Sequence, residues 1–165
     1  MNKTRIGMTS RWLAASAWVL LLGQPAAWAG DHAPKRIKGI WSARVNITNC
    51  LPGNVPGPVV FASFDTTNVF AADGTFLDAN ASNPATQSTH LGYWRHMHGN
   101  KYEFAQKFFL FDAAGTTTGW RIVRHDVVLG AYGLSFTSAG TAETFNNDGV
   151  LLTTGCSTSS AVRFD

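Results

Sequence analysis

Five histidines, two cysteines and a few arginine and tyrosine side chains set among eleven phenylalanines are the groups in this 165-residue chain with chemistry to offer. His125 and Asp126 interrupt an apolar run, Ile122-Val123-Arg124-His125-Asp126-Val127-Val128. Inside a cavity, beside Tyr102 or Tyr93, His125 could exchange protons with a bound carbonyl compound. If the run is a strand, neighbouring residues face opposite sides, so only one of His125 and Asp126 lines a cavity. The uncertain turn before it leaves open which one does, and a purely structural histidine is the alternative. Arg95 could take a ligand carboxylate or carbonyl, or else pair with a structural carboxylate such as Asp126. His96-x-His98 puts two imidazoles on one side of a strand, as a metal would need, but no Cys-x-x-Cys or His-Glu-x-x-His motif supports a site. We therefore expect a solvated histidine cluster and no metal. Gly-x-Ser-x-Gly, phosphate-loop and dinucleotide motifs are missing from the sequence, which disfavours classical hydrolases and nucleotide enzymes; no cofactor is expected.

The elements that position these groups read as strands. After residue 30 no stretch keeps a 3.6-residue apolar period; alternation broken by turn residues recurs instead. Strands are expected over 39–48, 59–70, 75–80, 88–98, 101–112, 117–129, 134–145 and 150–164, the last bent near Gly155. Asp73-Gly74 and Gly99-Asn100 suit tight hairpin turns, and 49–58, with three prolines and two glycines, reads as a loop. Pairing His98 with Lys101 across Gly99-Asn100 sorts two faces. Leu91, Tyr93, Arg95, Met97, Tyr102, Phe104, Gln106 and Phe108 form the greasier one and are placed inward. His90, Trp94, His96, His98, Lys101, Glu103, Ala105 and Lys107 are placed outward.

Eight short-linked antiparallel strands predict an all-β, up-and-down barrel over 39–165, closed by pairing the first strand with the last. Partners in an antiparallel pair sum to a constant. Cys50 with Cys156 and Trp41 with Arg163 give nearly the same sum, so one ladder with one bulge could hold a Cys50–Cys156 disulfide near one end and an arginine–tryptophan contact near the other. The longer connections then lie at one end, as in a cup, with Trp41 and Arg163 at the other.

Residues 1–29 read as an export signal. They carry Lys3, Arg5 and Arg11 without an acid, an apolar run over 12–22, and Ala27-Trp28-Ala29, a small-x-small cleavage pattern. The apolar run is too short for a bilayer span, which takes ~20 residues. A polar lead-in, 30–38, follows. The rest balances 10 Lys+Arg against 10 Asp+Glu, so the net charge of +3 belongs to the signal and gives no reason to expect nucleic acid. An exported product, periplasmic or secreted, can keep a disulfide oxidised. A membrane barrel is disfavoured because both faces of 117–129 carry charge, and Lys107 and Glu103 sit mid-sheet.

Gly39-Ile40-Trp41 on the first strand and Arg163 on the last resemble lipocalins and other calycins, in which such a Trp and Arg pack together at the closed end. The segment 64–74, Gly92-Tyr93-Trp94, the Phe-rich 101–112 and Arg163 also resemble exported bacterial proteins with lipocalin-like or allene-oxide-cyclase-like barrels. The resemblance implies a cup-shaped barrel. A small apolar or aromatic ligand is expected in the cup, against Tyr93, Arg95, Tyr102, Phe104, Gln106, Phe108 and Trp120. The alternatives are a cofactor-free isomerase, cyclase or lyase in the same cup, with His125, Arg95 and Tyr102 as catalytic candidates, and a barrel that meets another protein and takes no ligand.

Overall fold

A computed structural model describes residues 37–164. The expected signal, 1–29, and all of the lead-in except Ile37 and Lys38 lie outside the described residues. Eight strands follow one another: β1 (Gly39–Leu51), β2 (Val55–Phe70), β3 (Thr75–Asn80), β4 (His90–His98), β5 (Lys101–Phe111), β6 (Thr117–Leu129), β7 (Ser135–Asn146) and β8 (Leu151–Arg163). Each pairs antiparallel with its chain neighbours, and β1 pairs with β8, closing the ring into a barrel. Full closure leaves no unpaired edge along the shared ladders.

Short polar side chains set the turns. Asp73 Oδ1 accepts from Thr75 N–H at 2.9 Å, while Gly74 takes φ +92°, a region open to glycine at little cost. Asp112 Oδ1 accepts from the N–H groups of Ala114 and Thr116, and Asn146 Oδ1 from those of Asp148 and Val150.

The closing ladder runs without a bulge from Trp41↔Arg163 to Thr48↔Cys156. Cys50 lies two residues past its end and reaches Cys156 diagonally in a disulfide with Cα atoms 5.3 Å apart. Instead of ending near residue 48, β1 and β2 continue pairing to Leu51↔Val55 through two register shifts. Cys156 alternates with the outward Thr158 and Ser160, yet is 1% exposed, its sulfur bonded to Cys50 on this arm. The irregularity in β8 falls at Leu152, between Thr144↔Thr153 and Phe145↔Leu151, while Gly155 pairs regularly with Ala142.

The barrel interior divides into two halves. At the Trp41 end, Ile37, Trp41, Phe70, Phe76, Trp94, Tyr102, Phe104, Val127, Leu129 and Phe136 fill the space, with Trp41 edge-on to Phe136 at 5.0 Å. The Arg163 guanidinium lies 4.5 Å from the Trp41 ring and donates to the carbonyls of Gly133 and Lys38. Those bonds seal the bottom. Gly39 permits this approach, since a Cβ there would stand 2.5 Å from Arg163 Nη1. At the other end, where the four connections after β1, β3, β5 and β7 lie, the interior turns polar and opens.

Candidate functional site

The open half of the barrel holds a cavity of about 300 Å³. Phe104, stacked on Phe76 at 4.2 Å, forms part of its floor. Val45, Ile47, Phe64, Phe108 and Val123 supply apolar wall; Asp78, His90, Gln106, Arg121, His125, Ser157 and Ser159 supply polar wall.

Strand register places the polar groups in two rows. Asn68 lies opposite Asp78, and Asp78 opposite His90, so three neighbouring strands bring inward side chains to one level. Asp78 Oδ1 accepts from Thr66 Oγ1 and from Asn68 Nδ2. Its Oδ2 is 2.8 Å from His90 Nδ1 and 3.4 Å from Gln106 Nε2. With Asp78 taking four donors, Nδ1 of His90 carries the proton and Nε2 is left as the basic nitrogen. Nε2 has no hydrogen-bond partner among the described residues. The His90 ring stacks on Phe108, centroids 3.7 Å apart and planes 5° from parallel. Next in this row comes Arg121, opposite Phe108 and Thr144, its guanidinium 6.0 Å from the Phe108 ring.

Arg121 stands apart from the other described arginines. Arg44, Arg95 and Arg124 each meet a carboxylate on the outer face: Asp65, Glu103 and Glu143. Arg163 seals the bottom. Arg121 faces the cavity, where its Nε donates to Thr144 Oγ1 at 2.9 Å and no carboxylate among the described residues pairs with it. Burial lowers its pKa from the ordinary value, but a guanidinium stays charged in proteins. Gln106 adds a second unmet capacity. Its amide nitrogen must face Asp78, and the buried Oε1 that remains has no partner among the described residues.

His125 belongs to the lower row, between Phe104 and Gly140. Its Nδ1 meets Ser138 Oγ at 2.7 Å and its Nε2 meets Ser157 Oγ at 2.8 Å, while Ser138 bonds on to Ser159 at 2.6 Å. Gly140 makes room: a Cβ there would lie 2.5 Å from His125 Cδ2 and 1.9 Å from the Arg124 carbonyl oxygen. Burial pushes the His125 pKa down to about 4, and the nearby Asp78 offsets this only in part. The imidazole is neutral and satisfied on both nitrogens.

The structure rearranges the sequence-derived candidates. Phe104, Gln106 and Phe108 line the cavity and His125 faces it, with Asp126 turned outward. Tyr102 points inward but lies below the cavity in the packed half, 1% exposed. Tyr93 and Arg95, expected inward, face outward. His98 does pair with Lys101, but a bulge at Met97 shifts the ladder to His96↔Tyr102 and Trp94↔Phe104, which reverses every β4 side chain beyond it. Hence Arg95 bonds Glu103 on the outer face and Tyr93 borders an outer groove with Asn54, Val55 and Pro56. The same reversal brings His90 and Trp94 inside. Trp120 is also outside, stacked on Phe145 with Lys107 Nζ 4.5 Å from its ring, because inward positions on β6 are the odd-numbered ones. His96 Nε2 meets the Gly99 carbonyl oxygen at 3.0 Å. Among the described residues no three His, Cys, Asp or Glu side chains gather around a common point.

Asp78 and Arg121 were not singled out from the sequence, and His90 was placed on the outer face. Alternation in Thr75-Phe76-Leu77-Asp78 puts Asp78 on the face of Phe76, and that was the available signal for one of them. No family model, curated protein or solved structure matches the chain.

Proposed function

We propose that the barrel binds in its cup a small amphipathic molecule, with an apolar or aromatic body and one anionic group. The observation that carries this is Arg121, a cation inside a half-apolar cavity that pairs with no carboxylate among the described residues. A ligand carboxylate supplies that partner through charge-assisted hydrogen bonds, while Phe104, Phe108, Val45 and Phe64 cover the remainder. In this reading the protein is an exported, soluble, lipocalin-like binder. Its sealed Trp41–Arg163 end and its disulfide support that, and so do the ion pairs Arg44–Asp65, Arg95–Glu103 and Arg124–Glu143 on the outer face, which suit water better than lipid. No helix among the described residues is long and apolar enough to cross a membrane.

Titration of intrinsic tryptophan fluorescence with aryl carboxylates and their matched amides tests the proposal, since Trp94 packs in the filled half of the interior. Carboxylates should bind saturably and more tightly than the amides. Arg121→Leu should weaken them about 10- to 100-fold, the equivalent of one hydrogen bond to a charged group. Equal affinity for acid and amide, unchanged in Arg121→Leu, overturns the assignment of Arg121.

A further inference from the structure

We infer that the Asp78–His90 pair is a proton-transfer centre, and that the cup tautomerises a small 2-oxo carboxylate bearing an acidic C–H beside its carbonyl. The inference rests on the cup being a ligand site.

Three features of the structure point to it. First, His90 is oriented as a base: Nδ1 is fixed on Asp78, Asp78 is itself held by Thr66 and Asn68, and Nε2 has no partner among the described residues. An orienting acceptor behind one imidazole nitrogen sets the tautomer and fixes the direction of the other. Second, Nε2 is bonded to no serine or cysteine among the described residues, so it is placed to act on a substrate proton directly and not to activate a protein nucleophile. In the cavity wall Ser157 bonds His125, and Ser159 bonds Ser138, the hydroxyl that engages the other His125 nitrogen, so an acid backs neither nitrogen of that histidine. Third, His90 and Arg121 flank one aromatic ring, Phe108, at 3.7 Å and 6.0 Å from its centroid. A carboxylate on Arg121 therefore brings the adjoining carbons toward His90 while the substrate's apolar part lies on the floor. Holding both groups in one geometry is what lets a single base act effectively.

The step balances without oxidant, reductant or cofactor. His90 Nε2 takes a proton from the carbon next to the carbonyl; the C–H electron pair becomes the new C=C bond, and the carbonyl π pair moves to oxygen. The imidazolium then gives its proton to that oxygen, and the product is the enol, an isomer of the ketone. Gln106 Oε1, an acceptor without a donor, suits the hydroxyl of the enol and not the carbonyl of the ketone. His90 is the catalytic residue here and Asp78 a positioning residue.

Phenylpyruvate in D₂O is the probe, with loss of its C3 proton signal followed by NMR and binding followed by tryptophan fluorescence. Wild-type protein should accelerate exchange over buffer, and 3-phenylpropionate, which has no enolisable ketone, should suppress it by filling the cup. His90→Gln should lower the exchange rate at least 100-fold with the dissociation constant changed less than threefold. Asp78→Asn should lower kcat with little change in KM and shift the imidazole ¹⁵N signals of His90, a readout that a merely structural role leaves alone. Arg121→Leu should act mainly on KM. If phenylpyruvate binds wild-type protein and exchange is not accelerated, or 3-phenylpropionate fails to suppress it, the catalytic inference falls and the binding reading stands. If neither phenylpyruvate nor 3-phenylpropionate binds, both fall.

Discussion

Acid should destabilise this barrel through one residue. His125 is buried among Ser138, Ser157 and Phe104, and its pKa falls from 6.5 to about 4. In the unfolded chain the same imidazole titrates near its ordinary value, so between pH 6.5 and 4 the unfolded state binds a proton that the folded state does not. Stability is then full above pH 6.5, falls as the pH drops through that window, and levels off with respect to this group below pH 4. The depression corresponds to a loss of about 3 kcal/mol, a large share of the roughly 5–15 kcal/mol typical of a domain. Urea unfolding followed by tryptophan fluorescence at several pH values from 7.5 to 4 measures it. His125→Gln is the control: its amide can still meet the serine hydroxyls, it costs stability at pH 7.5, and it has nothing to titrate. The wild-type profile should fall more steeply than that of the variant by about 3 kcal/mol between pH 6.5 and 4, which separates His125 from the carboxylates both proteins share. Parallel profiles, or a His125 Cε1–H resonance that titrates near 6.5, would refute the reasoning.

Further outcomes follow from single contacts. Arg95→Ala and Trp120→Ala should leave aryl carboxylate binding within twofold of wild type by fluorescence titration, because both side chains are outside; a loss comparable to that of Arg121→Leu contradicts the face assignment. Replacing Cys50 and Cys156 together by serine opens a link across 106 residues and should lower the unfolding free energy by up to about 4–5 kcal/mol in the chain-entropy model, read from the urea midpoint. Gly140→Ala drives a methyl group into the Arg124 carbonyl and the His125 ring, and should cost about 1–3 kcal/mol or more in the same assay. Arg163→Leu removes the donors to Gly133 and Lys38 and the cation over Trp41; a loss of roughly 2–4 kcal/mol in thermal or urea unfolding is expected.

Much of the architecture was legible from residue order. Alternation and turn residues such as Asp73-Gly74 and Gly99-Asn100 are local signals, and they marked the eight strands with only the β1–β2 arm cut short. Ring closure was legible too, because antiparallel register is arithmetic: Trp41 with Arg163 and Cys50 with Cys156 differ by two in their sums, as a diagonal disulfide beyond the ladder requires. On β5 the pattern Tyr102-x-Phe104-x-Gln106-x-Phe108 identified its inner face unaided.

The polar half of the cavity was not legible, for a physical reason. Side chains on a strand alternate with period two, so one extra residue reverses all those beyond it. That residue is Met97, flanked by two histidines and marked by neither glycine nor proline; it carries Tyr93 and Arg95 outward and His90 inward. The grouping of Asp78, His90 and Arg121 is likewise absent from any local spacing, since they come from β3, β4 and β6 and share a level only through cross-strand register. Composition and alternation sufficed for a closed sheet with a greasy interior. Which polar side chains meet inside it, and which arginine faces the cavity, was decided by the accumulated offsets between strands, which exist only once the ring has closed.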